Sequence, residues 1–433
     1  MRRTLLACLI GFAALNAHAQ IAPEAARATT RVLLDHLDRG EYAQAEAMFD
    51  DAMRAAVPQD KLAQVWQSLS PAQSRGETAL KTDGDTQITS TPLQRKSARL
   101  NAIVTIAADG RVSGLFVQPA QTAAPAPAIP ADANYSEREA QVGDGERALP
   151  ATLAMPNGKG PFPAVVLVHG SGPNDRDETI GPNRPFLDIA RGLATEGIAV
   201  LRYDKRSHAR PQDYADGQIT IDTETTDDAV LAVASLRQLP GIDPKQIYVL
   251  GHSQGAMMAP RIGSRDPAIA GLVLLAAPAR PLLDILLEQN DRLLTMQGQR
   301  QSAAGIAHMQ KLTAQVDGIR SGGDIEARDL PLGLPAAYWR STDGVDPVNE
   351  ARQARQPMLL LHGGHDIQVV DADWQRWQTA FGKERRATLK RYPTLNHLAI
   401  ESTANAGLES YQIPGHVDAK LIDDIAQWIK ARR

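Results

Sequence analysis

The sequence predicts a small α+β domain followed by a larger α/β domain, whose mostly parallel, doubly wound sheet carries a helical cap insertion. Three observations support this fold class. The chain has 433 residues, which is long for one domain. Helical periodicity near the start gives way beyond Gly76 to alternating, turn-punctuated segments. From about residue 135, continuous apolar runs alternate with helical patterns, as is typical of a parallel sheet with helices on both faces.

The first residues, "MRRTLLACLIGFAALNAHAQ", predict a secretory signal peptide over residues 1–19. Two arginines precede an apolar run, and the small-residue pattern Ala17-His18-Ala19 places the cleavage after Ala19. The apolar run is too short to span a bilayer, so we expect no stable membrane insertion and a periplasmic or secreted protein. Cys8 is the only cysteine, so the mature chain is expected to have neither a disulfide nor a thiol nucleophile.

The amino-acid composition and net charge of the chain bear on which kinds of molecule it binds. Hydrophobic residues make up 43% and charged residues 22% of the chain, as in an ordinary soluble globular protein. The formal net charge is −4, and there is no strong Lys/Arg cluster with interleaved aromatic residues. Nucleic acid is therefore excluded as an expected partner.

Residues 20–119 predict the small α+β domain. Two helical runs are broken around Arg39-Gly40, a third ends at Ser70-Pro71, and Asp109-Gly110 suggests a hairpin among the strands that follow. The segments "GEYAQAEAMFDDAMRAAVP" and "DGRVSGLFVQP" resemble the cone-shaped family typified by nuclear transport factor 2. An Ala/Pro-rich stretch over residues 120–134 predicts a semi-rigid linker.

Residues 135–433 predict the α/β domain. Between the strand patterns "GLVLLAAP" and "QPMLLLHGG", the helical texture at about 281–350 indicates a cap over the carboxyl ends of the strands. Its apolar side chains are expected either to line an acyl pocket or to pack the cap onto the body. They include Leu282, Leu283, Leu286, Leu287, Tyr338 and Trp339.

The stretch "VLGHSQG" places Ser253 between two glycines, after the strand pattern "QIYVL" and before the helical pattern "AMMAPRIGS". This is the G-x-S-x-G pattern of a sharp strand-to-helix turn that exposes a serine hydroxyl above the edge of a sheet. The pattern alone is common, but this context favours a nucleophile. The start of the following helix would also direct its positive dipole end at the reacting centre.

A serine hydroxyl needs a base to remove its proton, and the base needs an acid to orient it. Asp366 follows the apolar strand pattern "MLLLHGG", and His397 follows the last strand pattern in "LKRYPTLNHLAI". Both lie where strand ends meet loops, and the chain order serine, aspartate, histidine is that of a strand-turn-helix nucleophile. We therefore expect Ser253, Asp366 and His397 to form a catalytic triad.

Other residues could compete for these roles. His362 and His365 with Asp366 could be imagined as metal ligands, but they match no common zinc pattern. His416 has no strand-end setting and is the weaker candidate for the base. Next to the nucleophile, His252 is expected to pack or tune the site. Asp371 and Asp373 are expected to cap a helix.

An oxyanion intermediate needs preorganised hydrogen-bond donors. The strand Val165–Val168 runs into His169-Gly170-Ser171-Gly172, a turn that can direct N–H groups towards the serine. We expect the backbone N–H groups of Ser171 and Gln254 to form the oxyanion hole, and Gly172 could replace Ser171.

Together, "HGSGPNDRDE", "GHSQGAMMAP", "LHGGHDIQV" and "LNHLAI" resemble the α/β-hydrolase family, in a branch near dienelactone hydrolases and prolyl-oligopeptidase-like enzymes. The resemblance implies Ser253 as nucleophile, Asp366 as acid and His397 as base, with no cofactor and no metal. The run "RYDKR" resembles that family as well and is interpreted as a structural ion-pair turn, without a catalytic role.

Three functions follow as hypotheses. The first is a carboxylesterase that cleaves small-molecule esters through an acyl-enzyme. The second is an exported serine peptidase, although the propeller of the oligopeptidases is absent from the sequence and no obvious acidic pair awaits a substrate amino group. The third is a non-catalytic binding protein, against which the complete set of Ser253, Asp366 and His397 argues.

Overall fold

The structure is a computed structural model that describes residues 21–83, 85–96, 99–119, 126–214, 217–323, 325, 327–404 and 406–432. These residues form two compact units that separate between residues 119 and 126. The predicted signal peptide over residues 1–19 lies outside the described residues. Where the chain is described, no helix combines the length and the apolar character needed to cross a membrane.

The first unit begins with helices. Within its described residues these are α1 Pro23–Asp38, α2 Tyr42–Ala47, α3 Asp51–Ala56 and α4 Gln59–Ser68. Gly40 follows α1 with a φ of 74°, a left-handed conformation that glycine adopts without steric cost. Asp50 caps α3 by accepting a hydrogen bond from the backbone N–H of Met53. The apolar face of α1, which includes Leu33 and Leu37, is fully buried.

The strands of the first unit follow its helices. They are β1 Ala72–Arg75, β2 Ala79–Asp83, β3 Thr86–Arg95, β4 Arg99–Ile106 and β5 Val112–Pro119, and they pair antiparallel. Gly110, with a φ of 84°, lies in the predicted hairpin turn between β4 and β5. Helices and strands share one apolar core, so this unit is α+β in architecture. Its likeness to nuclear transport factor 2 stays a prediction.

The second unit is built on a sheet of eight strands among its described residues. The strands are β6 Tyr135–Val142, β7 Leu149–Pro156, β8 Phe162–Val168, β9 Ala199–Tyr203, β10 Ile242–His252, β11 Gly271–Leu275, β12 Met358–Gly363 and β13 Ala387–Tyr392. Their spatial order is β13-β12-β11-β10-β8-β9-β7-β6. Strands β8 to β13 pair parallel with one another, whereas β7 pairs antiparallel with both β6 and β9.

Helices cover both faces of this sheet. Those described are α5 Pro185–Thr195, α6 Arg206–Ala209, α7 Asp227–Arg237, α8 Gln254–Arg265, α9 Leu282–Met296, α10 Ala303–Arg320, α11 Ala336–Asp343, α12 Pro347–Gln353, α13 Asp371–Phe381 and α14 Ala419–Lys430. Successive residues of β8 alternate between two cores: Val165 and Leu167 pack with α5 and α14, and Val166 and Val168 pack with α7, α8 and α13. This two-sided burial explains the unbroken apolar strands and confirms the predicted doubly wound α/β architecture.

The fold brings the carboxyl ends of β8, β10, β12 and β13 to one edge of the sheet, because these strands are parallel. Ser253 directly follows β10, Asp366 lies just beyond β12, and His397 lies just beyond β13. Helices α9 to α12 occupy the predicted insertion between β11 and β12.

Candidate active site

Ser253 occupies a strained turn between β10 and α8. Its φ of 52° and ψ of −117° lie outside the regions that non-glycine residues ordinarily adopt. The flanking glycines permit this turn sterically. A Cβ at Gly251 would lie 2.2 Å from the carbonyl oxygen of Gly255, and a Cβ at Gly255 would lie 2.1 Å from that of Val168. The strain and the two close approaches give the G-x-S-x-G pattern its physical reason.

Asp366 and His397 are in direct contact. The Oδ2 atom of Asp366 accepts a hydrogen bond of 2.8 Å from Nδ1 of His397, and both side chains are buried. The Oδ1 atom accepts two further bonds, of 2.8 and 2.9 Å, from the backbone N–H groups of Gln368 and Val369. Burial raises the pKa of Asp366, but the charge and hydrogen bond of His397 outweigh it, so the pKa lies below its ordinary value. Asp366 is therefore a fixed carboxylate that orients the imidazole.

His397 is also tied to the nucleophile turn through its backbone. The Nε2 atom of His252, the residue before Ser253, donates to the carbonyl oxygen of His397 at 2.9 Å. The two imidazole rings lie 4.7 Å apart between centroids. Among the described residues no hydrogen bond joins the Ser253 hydroxyl to the His397 ring. The structure thus pairs Asp366 with His397 and holds the loop of His397 beside the Ser253 turn.

The sequence did not identify Glu178 as a member of this site. It is buried at a φ of 51°, and its Oε1 atom accepts a 2.6 Å hydrogen bond from the N–H of Gly170. Its Oε2 atom lies 2.9 Å from Nδ1 of His252. Glu178 thus links the Gly170 turn to His252, the residue preceding Ser253, and no spacing in the sequence revealed this link.

His252 faces acceptors at both ring nitrogens, the Glu178 carboxylate and the His397 carbonyl. Both bonds form together only when both nitrogens carry protons. Burial lowers the pKa of His252, but the Glu178 charge outweighs it and the net shift is upward. Burial likewise raises the pKa of Glu178, and the His252 charge brings it below the ordinary value. His252 is thus held by protein groups at both ring nitrogens, and its tuning of the site stays a prediction.

The two predicted oxyanion donors lie in the segments that flank Ser253: Gln254 follows it directly, and Ser171 follows Gly170 of the turn after β8. Gln254 is the first residue of α8, so its N–H has no acceptor within the helix. Ser171 follows Gly170, where an added Cβ would lie 3.3 Å from Cβ of Ser253. Neither the Ser171 nor the Gln254 N–H donates to a protein group among the described residues. The oxyanion hole formed by these two amides stays a prediction.

The turn "RYDKR" after β9 carries ion pairs, as the sequence indicated. Arg202 pairs with Glu137 and Asp177, Asp204 with Arg176, and Arg206 with Asp213 and Asp228; the closest contacts are 2.6–3.0 Å. Lys205 differs from these residues, because its ammonium also contacts the Gly170 turn and the Gln254 side chain.

Three competing residues have other roles. The side chain of His416 is 84% exposed and pairs with Asp188, whereas the Asp366 carboxylate pairs with His397. The prediction that Asp371 and Asp373 cap a helix was wrong, since Val370 is the N-cap of α13 and has no side-chain cap bond. Asp371 pairs with Arg391, and Asp373 is buried against Arg280 and the N–H of Ala279; the bonds are 2.7–3.1 Å.

The two histidines near Asp366, His362 and His365, contact different protein groups and do not point to a shared metal site. His362 stacks on Trp374 at 5.3 Å between ring centroids, and Nδ1 of His365 lies 2.8 Å from the carbonyl oxygen of Ser402. In the part of the chain that the structure describes, no group of three or more His, Cys, Asp or Glu residues could hold a metal ion.

A cavity of about 920 Å³ lies beside Asp366. Helix α9 of the insertion forms one wall through Arg292, Leu293 and Met296, and it is tied to the Asp366 loop by a 3.1 Å bond from Arg292 to the carbonyl oxygen of Ile367. The six side chains expected as pocket candidates do not line this cavity. They pack with the core of the α/β unit instead: Leu282, Leu283, Leu286, Leu287, Tyr338 and Trp339.

The fold and the arrangement at the sheet edge define a hydrolase of the α/β-hydrolase class. More specifically, the chain belongs to the family described as serine aminopeptidase, S33, whose model matches residues 161–402. Esterase EstD of Thermotoga maritima is 34% identical over 403 residues, which cover 92% of this chain and 94% of the relative.

Solved structures similar to the chain include Est1E from Butyrivibrio proteoclasticus. It shares 17% identity at a TM-score of 0.44, covering 68% of this chain and 99% of that one. A Pyrococcus furiosus esterase shares 16% identity at a TM-score of 0.42, covering 71% of this chain and 96% of that one.

Proposed function

We propose that the protein hydrolyses carboxylic esters through an acyl-enzyme formed on Ser253. The observation that carries the proposal is the 2.8 Å hydrogen bond between Asp366 and His397 at the sheet edge where Ser253 occupies its strained turn. The name of the 34% identical relative, an esterase, supports the choice of substrate class. The substrate is a small-molecule ester, and the proposed chemistry uses no cofactor.

In the proposed reaction, His397 takes the proton of the Ser253 hydroxyl as the oxygen attacks the ester carbonyl carbon. The N–H groups of Ser171 and Gln254 bind the oxyanion, and Asp366 stabilises the imidazolium. When the tetrahedral intermediate collapses, the C–O bond to the alcohol breaks and His397 protonates the leaving alcohol. Water, deprotonated by His397, then attacks the acyl-enzyme, and the carboxylic acid leaves as the serine recovers its proton.

Neither Ser253 nor His397 lines the cavity beside Asp366, so we propose that it receives only a part of the ester that is distant from the reacting carbonyl. Leu293 and Met296 offer apolar surface there, whereas Arg292 offers a cation at the same wall. A pocket of this size and mixed lining suits a small organic ligand. Met296 is the exposed apolar side chain on this wall, at 40% exposed. Its substitution tests whether the cavity sets the preferred acyl-chain length of the ester.

The test compares turnover of p-nitrophenyl esters, from acetate to octanoate, with turnover of aminoacyl p-nitroanilides. We expect ester turnover in the native protein and its loss in Ser253→Ala. Ser264→Ala is the matched control, because Ser264 lies on the same helix and its hydroxyl only donates to the Pro260 carbonyl. Equal ester turnover in native protein and Ser253→Ala would refute the proposal.

The second candidate function is a serine aminopeptidase, which the description of the family favours. An aminopeptidase needs carboxylates for the substrate ammonium group, and the buried acids Glu178, Glu224 and Asp366 are each paired with a protein cation or histidine. The pairing of these three acids favours the ester; Glu409, an exposed carboxylate that lines the cavity beside Asp366, is the group on which a peptidase would depend. Faster cleavage of aminoacyl p-nitroanilides than of esters would establish the peptidase, and cleavage of neither would support a non-catalytic binding protein.

We also propose that the protein is exported, with cleavage after Ala19. The support is the pattern of residues 1–19 described above. Amino-terminal sequencing of the protein isolated from its source cells tests this proposal. A mature chain that begins at Gln20 is the expected result, and an intact terminus on active protein would contradict it.

A further inference from the structure

Lys205 is a buried cation that contacts both elements of the proposed oxyanion hole. It lies between β9 and α6 and is 2% exposed. Its ammonium group donates to the carbonyl oxygen of Gly170 at 2.9 Å and to Oε1 of Gln254 at 3.3 Å. The neighbouring cations Arg202 and Arg206 pair with carboxylates outside these two elements.

The bond to Gly170 acts on the first oxyanion donor through one peptide group. The carbonyl of Gly170 and the N–H of Ser171 belong to the same planar, trans amide, so they point in opposite directions. Fixing the carbonyl on Lys205 therefore fixes the direction of the Ser171 N–H. A cation on the carbonyl also polarises the amide and strengthens its N–H as a donor. Asn174 donates to the same carbonyl at 3.2 Å but carries no charge.

The bond to Gln254 acts on the second donor. The Gln254 side chain is buried and held at both ends, by Lys205 at Oε1 and by the Tyr338 hydroxyl 2.7 Å from Nε2. The backbone of Gln254 is set by its place as the first residue of α8, and the Lys205 bond fixes the side chain next to it; the N–H of Gln254 is the second proposed donor. One ammonium group thus contacts the peptide group of the first proposed donor and the side chain of the second.

The charge of Lys205 is balanced within the protein. Oε2 of Glu224 lies 3.2 Å from the ammonium nitrogen, and the hydroxyls of Ser207 and Tyr338 donate to the two Glu224 oxygens. The ammonium group of Lys205 is therefore bonded to protein groups on the Glu224 side as well as at Gly170 and Gln254. Its effect on a reaction must pass through Gly170 and Gln254.

We infer that Lys205 is a positioning residue that aligns and polarises the oxyanion-hole amides of Ser171 and Gln254. The inference rests on the proposed function, since it concerns the same site. It extends the interpretation of the "RYDKR" turn, which the sequence presented as structural only.

The test uses Lys205→Met together with Glu224→Gln, so that no carboxylate stays buried without its cation. The matched control is Arg206→Met together with Asp228→Asn, which removes a buried ion pair of the same turn, with a shortest contact of 2.6 Å, away from the oxyanion loop. Thermal unfolding, kcat and KM for p-nitrophenyl butyrate, and inhibition by butylboronic acid are measured for both. The boronate adduct of the serine is anionic and tetrahedral, so its affinity reports the oxyanion hole.

Loss of a direct oxyanion donor typically costs about 100-fold to 1,000-fold in kcat, so we expect about 10-fold to 100-fold for its positioning residue. KM should change by less than about 3-fold, and the boronate inhibition constant should rise in parallel with the fall in kcat. The control should lower the unfolding temperature and keep kcat and boronate affinity. A merely structural role for Lys205 would give the same pattern in both variants and would overturn the inference.

If the Met variant does not fold, Lys205→Gln with Glu224→Gln provides the test, because its amide keeps a neutral donor. A smaller fall in kcat, about 3-fold to 10-fold, with a parallel loss of boronate affinity is then expected. Kinetics equal to the Arg206 control would overturn the inference. If the native protein neither hydrolyses the ester nor binds the boronate, the proposed function fails first, and the assignment to Lys205 falls with it.

Discussion

Replacing Asp366 with asparagine changes which ring nitrogen of His397 carries the proton, and it preserves the shape of the loop. The Oδ1 atom of Asp366 accepts from the N–H groups of Gln368 and Val369, so the new amide must keep its oxygen there. Turning the amide around would leave two buried N–H groups unpaired, at about 1–3 kcal/mol each. The NH₂ group therefore faces Nδ1 of His397 and forces the ring proton onto Nε2, the nitrogen that must accept the proton of Ser253.

The wrong tautomer should lower kcat about 10⁴-fold, as aspartate-to-asparagine changes do in serine triads. This factor corresponds to about 5.4 kcal/mol of lost transition-state stabilisation. The assay is steady-state hydrolysis of p-nitrophenyl butyrate, with thermal unfolding to verify the fold. Asp371→Asn is the control, since Asp371 lies in the same region, is more than half exposed and pairs with Arg391 at the surface. Asp366→Asn protein that is folded and within tenfold of native kcat would refute the role of Asp366.

Three further predictions follow from particular side chains. His397→Ala should lose about 10⁴-fold or more in kcat, whereas His416→Ala at its exposed position should keep native turnover in the same assay; the reverse pattern would reassign the base. The pKa of Glu178 is held below its usual 4.5 by His252 against the opposing effect of burial, so its stabilisation is complete above about pH 4.5 and is lost as the pH falls through the folded-state pKa. Glu178→Gln should therefore reduce the loss of unfolding free energy between about pH 6 and pH 3, measured by urea titration, and an unchanged pH slope would contradict this. Met296→Ala enlarges the cavity beside Asp366 and should raise kcat/KM for octanoate relative to acetate by about 10-fold, whereas an unchanged chain-length profile would remove this cavity as the acyl site.

The features predictable from the sequence are those that local patterns encode. Two-sided burial produces unbroken apolar strands, which is why the parallel sheet was predictable. The glycines on either side of Ser253 make its turn predictable, because a Cβ at either position would clash with backbone atoms. Once strands and turn are known, parallel topology alone brings Asp366 and His397 to the serine edge.

The features that sequence reasoning missed depend on pairs distant along the chain. Glu178 meets His252 across 74 residues, and Lys205 meets Gln254 across 49, so no periodicity connects either pair. Asp373 was misassigned because a carboxylate in a first helical turn has the same local pattern whether it caps the helix or pairs with Arg280 from another segment. The leucines of α9 were ambiguous for a similar reason: an apolar helix face does not reveal whether it meets a core or a ligand.

The central claim is that Ser253 is the acylated residue, and covalent labelling tests it most directly. Native protein is treated with a fluorophosphonate, digested and mapped by peptide mass spectrometry. The predicted result is one adduct, on the peptide that contains Ser253, which forms at the rate at which ester hydrolysis is lost and is absent from Ser253→Ala. An adduct on another residue that accompanies the loss of activity, or labelling that persists in folded Ser253→Ala, would contradict the claim.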